Sequence, residues 1–281
     1  MSSLVFFVIL GSALFHAAWN AVIKGGSDKL FETVMKTSSG GLIAACIIPF
    51  LPAPARESWP YLAATVSIHI VYYLCIVYAY RGAELGYAYT IMRGSSPMFT
   101  ALATVFLLGH SLSSGGWFGV VLLSTGILTL TWDTVLRKNF NLSATLVALA
   151  NALVIMAYTV VDGSGVRLAV HASSYICWVF FLNAFPLLIF SIILKKGAYF
   201  RYVRTRWLYG LFGGACSFIA YGLSLWAMTK APLSLVAALR ESSVIFGVLL
   251  GLIFLGERLS WSRSLAVLLV VAGAGAIKFW A

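Results

Sequence analysis

The chain has 281 residues, of which 61% are hydrophobic and only 10% are charged. A soluble globular domain carries about 25% charged residues, so this composition excludes the soluble classes and predicts an integral membrane protein. The formal net charge of +11 does not indicate a nucleic-acid partner, because the basic residues lie mostly in short loops between apolar runs, where they act as topology determinants.

Ten apolar runs are long enough to cross a bilayer core of about 30 Å as helices. They cover residues 4–23, 31–51, 61–80, 87–108, 115–132, 143–162, 174–194, 208–229, 232–255 and 261–280. The first run is longer than the apolar part of a signal peptide and lacks a basic leader, so we expect it to be retained. The predicted fold is all-α, an integral membrane protein of ten transmembrane helices.

The first run carries a polar stripe. His16 and Asn20 are four residues apart, Trp19 lies beside them, and Lys24 continues the stripe toward the membrane surface. Residues four apart share one face of a helix, so this face should point into the helix bundle. Two interpretations stay open: the stripe contacts a substrate, or His16 and Asn20 hydrogen-bond to neighbouring helices.

His69 and Tyr72 share one face of the third run. Both lie deep within the run, so they are candidate substrate contacts. Aromatic residues on membrane helices also serve in packing and at the lipid interface, and that interpretation stays open as well.

Arg93 interrupts the fourth run. An arginine within hydrocarbon costs roughly 2.5–3.5 kcal/mol on insertion scales, so it is kept mainly where it faces protein or a water-filled cavity. A guanidinium offers paired donors to a carboxylate or a phosphate, which makes Arg93 a candidate substrate anchor. Alternatively, Arg93 pairs internally with a carboxylate or with backbone carbonyls. The candidates that share or adjoin its face are Tyr89, Met92 and Ser96, with Pro97 as a candidate gating position.

Tyr158 in the sixth run and Tyr221 in the eighth run are the aromatic candidates of the second half. Asp162 and Ser217 are further polar positions on these two runs. A cavity lined by aromatic residues from both halves would favour flat or bulky apolar ligands with one charged end. Ordinary core packing is the alternative for each side chain.

The ninth run repeats the pattern of the fourth. A shift of 147 positions places Arg93 on Arg240 and Ser96 on Ser243. We therefore expect two repeats, at residues 1–138 and 139–281. Each has five helices, an odd number, so the second should be inverted in the membrane, with a substrate site between the repeats. Pro232 begins the ninth run and is the second candidate gating position.

Glu241 directly follows Arg240 and is expected to be the most deeply placed carboxylate. Adjacent helical residues point about 100° apart, so these two side chains are predicted to address different partners. Glu241 is a candidate for proton coupling, with His16 as the other. The equal alternative is that Glu241 is the fixed counter-ion of Arg93 or Arg240.

No cofactor or metal is expected. The four cysteines lie singly on four apolar runs without metal-ligand spacing: Cys46, Cys75, Cys177 and Cys216. The chain also lacks an HExxH motif, a GxSxG motif and an intramembrane aspartate pair, which argues against a membrane-embedded enzyme, the alternative from a different class.

Three motifs together resemble the drug/metabolite transporter superfamily, specifically proteins with two EamA domains. They are HAAWN from His16 to Asn20, RGSSP from Arg93 to Pro97, and LRESS followed by LGERLS between Leu239 and Ser260. In size and layout the chain is similar to the YddG-like aromatic amino acid exporters. The resemblance implies two inverted five-helix repeats around a central cavity, lined by helices one, three, four, six, eight and nine. It also implies cytoplasmic termini, whereas the loop charges favour external termini, so both orientations stay open.

We therefore predict a multi-pass secondary transporter of the inner (plasma) membrane, working as a monomer. It is expected to export small amphipathic metabolites, with aromatic or other neutral amino acids as substrates. The alternative is a multidrug or phosphorylated-metabolite exporter, of which two cavity arginines favour the phosphorylated substrates.

Overall fold

A computed structural model describes residues 1–82, 85–132, 142–255 and 260–281. Within these ranges eight spans are long and apolar enough to cross a membrane, and the secondary structure is helical. This confirms an all-α membrane protein, whereas ten transmembrane helices and inverted repeats stay predictions. The predicted repeat boundary at residues 138 and 139 lies outside the described residues, as does part of the LGERLS motif.

The helices are α1 (Ser3–Gly25), α2 (Lys29–Ile47), α3 (Trp59–Gly82), α4 (Leu85–Phe106), α5 (Ser114–Leu128), α6 (Leu142–Leu168), α7 (Ala172–Ile193), α8 (Gly197–Met228), α9 (Leu233–Arg240), α10 (Ser243–Leu255) and α11 (Trp261–Trp280).

Polar residues between the apolar runs determine where several helices begin. Ser2, Asp28 and Ser113 each accept a hydrogen bond from the backbone N–H three residues later. Each bond satisfies a donor that the first turn of a helix leaves unpaired. These caps set the starts of α1, α2 and α5.

The ninth predicted run is broken in its middle, which corrects the prediction of one continuous helix. α9 ends at Arg240 and α10 begins at Ser243. Between them, the N–H groups of Glu241 and Ser242 each bond a carbonyl three residues back, at 3.0 Å. This tighter turn replaces the four-residue bonds of an α-helix and changes the angle between successive side chains. Arg240 and Glu241 therefore lie at the junction of two half-helices.

The connection from α7 to α8 remains helical, with non-helical backbone angles at Lys195 and Arg206. Tyr202 and Arg206 in the first part of α8 both donate to the carboxylate of Glu32, which is buried in the first turn of α2. This contact ties the start of α8 to α2.

α5 and α11 pack against each other through small residues. A side-chain atom added at Gly119 would meet the backbone oxygen of Gly273 and the side chain of Ile277. Such close approach of two helices depends on the missing side chain.

The remaining helices of the first half pack against helices of the second half. α1 packs against α8, where the Ser12 hydroxyl donates to the backbone oxygen of Ala220 at 2.6 Å and lies 2.8 Å from Ser224 Oγ. α3 packs against α6, and α4 packs against α6 and α9. These contacts surround a central space.

Candidate functional site

A cavity of about 120 Å³ lies where the two halves meet. This volume is below the about 300–1,000 Å³ of drug-sized pockets, so the cavity suits a small ligand. α2 and α7 contribute to its wall, which the family resemblance did not imply. They reach it because they approach closely at Gly41, where an added side-chain atom would meet the backbone oxygen of Phe180 and the side chain of Ala184. The lining residues are His16, Trp19, Lys36, Thr37, His69, Tyr72, Tyr73, Tyr89, Arg93, Tyr158, Val179, Phe180, Asn183, Ser217, Ala220, Tyr221 and Arg240.

Arg93 is paired internally, although it also lines the cavity. Its Nη2 lies 2.8 Å from Glu241 Oε2 and 3.1 Å from His16 Nε2, and the residue is only 6% exposed. Of the two interpretations of Arg93, internal pairing with a carboxylate is the one this geometry supports. The pairing is expected physically, because a buried charge without a partner costs several kcal/mol.

Glu241 lies between two guanidinium groups. It is 1% exposed, and its Oε1 lies 3.8 Å from Arg240 Nε. The turn between α9 and α10 brings the two side chains this close, but each also has a separate partner: Glu241 pairs with Arg93 at 2.8 Å, and the Arg240 guanidinium lies 5.7 Å from the centroid of the Tyr221 ring. These contacts agree with the prediction that Arg240 and Glu241 address different partners. The counter-ion role of Glu241 agrees with this geometry, and its proton-coupling role stays a prediction. With one carboxylate between two cations, the cluster keeps an excess of positive charge.

His16 acts as an acceptor toward Arg93. A guanidinium can only donate, so His16 Nε2 must be unprotonated in this contact. Asn20 Nδ2 donates to the backbone oxygen of His16 at 2.8 Å, and the Tyr89 hydroxyl donates to Asn20 Oδ1 at 3.4 Å. The polar stripe on α1 thus hydrogen-bonds to α4, and its contact with a substrate stays a prediction. His16 and Trp19 line the cavity, and Asn20 supports them from outside it.

Aromatic rings form one wall of the cavity. The rings of His69 and Tyr158 are stacked with their centroids 4.6 Å apart. Tyr72 and Tyr221 meet Tyr158 edge-on, at centroid distances of 5.8 Å and 6.3 Å. Stacked and edge-on rings are favourable arrangements that present flat apolar surface together with hydroxyl groups. This wall can hold a flat apolar group.

Asp162 is a further buried carboxylate beside Glu241 and Glu32, so burial alone does not single out Glu241. It is 0% exposed. Its oxygens accept hydrogen bonds from the hydroxyls of Tyr221 at 2.6 Å, Thr65 at 3.0 Å and Tyr175 at 3.1 Å. Since Tyr221 lines the cavity, Asp162 holds part of the wall in position. The sequence signal was an aspartate inside an apolar run.

Lys36 was missed by the sequence analysis. It lies on α2 and lines the cavity, with its Nζ 4.4 Å from the centroid of the Trp19 ring. An ammonium over an indole face is a favourable cation–π arrangement. The signal that would have found it is a lone lysine within the apolar run at 31–51.

Three predicted contacts lie behind the wall: Met92, Ser96 and Ser243 are buried and do not line the cavity. The Met92 sulfur instead accepts a hydrogen bond from Asn151 Nδ2 at 3.1 Å. Pro97 lies inside α4 and Pro232 caps the start of α9, and their gating roles stay predictions.

A second groove, of about 530 Å³, runs along the outside of α5 and α11. Its lining has no charged side chain, and the Trp280 indole N–H is the one polar side-chain group among its lining residues, so it offers little to orient a polar ligand. Within the described ranges, no three His, Cys, Asp or Glu side chains come together as a metal site.

The architecture of this chain also occurs in a solved structure. No curated protein matches the sequence. A solved structure described as "Crystal structure of protein" superposes with a TM-score of 0.75 and 17% sequence identity, covering 98% of this chain and 96% of that chain. At this identity the likeness concerns the fold alone.

The second half of the chain matches a known family. Residues 142–278 match the EamA-like transporter family. This match confirms the EamA part of the resemblance over that range, and the closer likeness to aromatic amino acid exporters stays a prediction. The match is therefore a likeness of residues 142–278 to EamA-like transporters, a family of the drug/metabolite transporter superfamily.

Proposed function

We propose that the protein is a secondary transporter of the inner (plasma) membrane that exports small amphipathic metabolites, in particular aromatic or other neutral amino acids. The single observation that carries the proposal is a small central cavity that combines an aromatic wall with an excess of positive charge. The aromatic wall suits the side chain of such a substrate, and the positive charge suits its carboxylate.

The charge excess follows from the groups around the cavity. Lys36, Arg93 and Arg240 are cations that line it, and Glu241 is the carboxylate in contact with two of them. A cationic drug would meet repulsion there, whereas an anion or the carboxylate of an amino acid would be attracted. The charge therefore supports a carboxylate-bearing substrate.

The packing of the helices supports two inverted repeats. If each helix of the first half corresponds to the one five positions later, with α9 and α10 together as the ninth, the α1–α8 contact corresponds to α6–α3. The α4–α6 contact likewise corresponds to the contact of α9 and α10 with α1. Both members of each pair occur. A twofold relation of this kind allows the two halves to exchange their conformations. The cavity then opens first to one side of the membrane and then to the other, which is the basis of alternating access.

The break between α9 and α10 supports movement at the same site. Discontinuous helices at mid-membrane commonly form the substrate sites of secondary transporters. Arg240 ends one half-helix, so bending at this junction would displace its guanidinium relative to the cavity.

The test is counterflow of labelled phenylalanine in proteoliposomes of the purified protein, with and without a pH gradient. We expect accumulation of label in liposomes preloaded with unlabelled phenylalanine, and competition by other neutral amino acids. Equal signals from protein-containing and protein-free liposomes across the amino-acid panel would contradict the proposal.

A phosphorylated metabolite is the second candidate substrate, because the three lining cations would also attract a phosphate. Competition by a sugar phosphate that exceeds competition by phenylalanine would favour this second candidate.

A further inference from the structure

The cations around the cavity differ in how far they are already neutralised. Arg93 contacts both Glu241 and His16 within 3.1 Å. A ligand carboxylate could bind Arg93 fully only by competing with Glu241, and separating a buried pair is costly. The role of Arg93 is therefore structural: it neutralises Glu241 within the buried cluster and is not free to bind a ligand.

Lys36 has no such partner. Within the described part of the chain, no carboxylate lies within ion-pair distance of its ammonium, and the contact it makes is with the face of the Trp19 ring at 4.4 Å. Its stem runs beside α8, where an atom added at Gly213 would lie 3.8 Å from Lys36 Cγ. A ring face is not a conventional hydrogen-bond acceptor, so the N–H donors of the ammonium that point away from the ring stay available to an anion in the cavity.

Asn183 on α7 supplies an acceptor on the wall of the same cavity. The residue is 9% exposed, and its Oδ1 is buried without a hydrogen-bond partner among the described residues. Leaving a buried acceptor unpaired costs about 1–3 kcal/mol. The χ2 torsion of an asparagine is broad and roughly two-fold, so the amide can turn its oxygen toward the cavity when a ligand donor is present. An ammonium group is a suitable donor because it carries three N–H groups.

Taken together, these two side chains match the two ends of an amino-acid head group. We propose that Lys36 and Asn183 form the head-group subsite of the cavity: Lys36 binds the substrate carboxylate, and Asn183 Oδ1 accepts a hydrogen bond from the substrate ammonium. The aromatic wall then holds the substrate side chain. This inference rests on the proposed function and assigns the anchoring role to Lys36, which the sequence motifs do not include, in place of Arg93.

Three related probes separate the two contacts. Phenylalanine carries both the carboxylate and the ammonium, phenylalaninamide lacks the carboxylate, and 3-phenylpropanoate lacks the ammonium. Equilibrium binding of each probe is measured on the full-length protein in lipid nanodiscs, for the wild type and for the variants Lys36→Gln, Lys36→Arg, Arg93→Gln and Asn183→Leu.

We expect Lys36→Gln to weaken binding of phenylalanine and 3-phenylpropanoate by about tenfold or more, the effect of losing a hydrogen bond to a charged group. Binding of phenylalaninamide should be unchanged or tighter, and Lys36→Arg should restore part of the loss. Asn183→Leu should instead weaken phenylalanine and phenylalaninamide by a similar factor and spare 3-phenylpropanoate. Retained binding of the spared probe in each variant also shows that the variant is folded.

Equal weakening of all three probes by either variant, or no weakening by Lys36→Gln, would overturn the subsite. If Arg93→Gln alone gave the carboxylate-selective loss, the anchor would be Arg93 and the inference would be wrong. The proposed function fails separately: absence of phenylalanine counterflow together with the expected binding pattern would leave the subsite standing and reject export of amino acids.

Discussion

Replacing Glu241 by glutamine should destabilise the protein more than replacing Arg93 by methionine. Glu241 contacts Arg93 at 2.8 Å and Arg240 at 3.8 Å, and all three residues are buried. Glu241→Gln leaves two guanidiniums together without a carboxylate, and breaking a buried pair in this way costs about 3–5 kcal/mol of unfolding free energy. Arg93→Met leaves Glu241 with Arg240 as a remaining partner, so its cost should be nearer the about 1.5–3 kcal/mol of one charged hydrogen bond.

The assay is equilibrium unfolding by sodium dodecyl sulfate in mixed micelles, applied to the two single variants and the double variant. The double variant should lose less than the sum of the single losses, because both changes remove the same contact; we expect a coupling energy of about 1–3 kcal/mol. The reasoning would be refuted by additive losses, or by an Arg93→Met cost equal to or above that of Glu241→Gln.

Two further predictions concern the supports of the cavity. Asp162→Asn should lower the unfolding free energy by about 1–3 kcal/mol in the same assay, because the amide nitrogen cannot accept one of the three hydrogen bonds from hydroxyl groups. Tyr221→Phe removes one of these bonds and should cost about 1 kcal/mol. A larger loss in Tyr221→Phe than in Asp162→Asn would count against this account of Asp162. Gly119→Ala should lower the yield of monodisperse protein in size-exclusion chromatography, since its added methyl group would overpack the α5–α11 contact at a cost of about 1–3 kcal/mol. Gly275→Ala is the matched control, because an added atom there meets nothing within 4 Å, and an equal loss of yield in this variant would contradict the packing argument.

Helical spacing alone identified part of the cavity wall. His16 and Trp19 on α1, and Tyr89 and Arg93 on α4, were predicted from their positions on one face, and they line the cavity together. The same reasoning misplaced Ser96, because sharing part of a face with Arg93 does not determine which neighbouring helix covers the side chain. Spacing reports the direction of a side chain on its own helix and contains no information about the partner.

Lys36 shows the opposite failure. It was passed over because it stands alone in its run, without a polar stripe to mark a face. Its importance appears when α2 packs against α7 and α8 at their glycines and brings the ammonium over Trp19. A single residue on an otherwise apolar helix gains its meaning from the helices that surround it.

The sequence by itself determined the membrane class, the helical fold and the positions of the polar faces, because burial in hydrocarbon and the helical period act on local stretches of chain. Tertiary structure alone decided that Glu241 is shared by Arg93 and Arg240, that the ninth run breaks after Arg240, and that Lys36 meets no carboxylate among the described residues. Ion pairing depends on distances between residues far apart in the chain, and packing of the helices sets those distances.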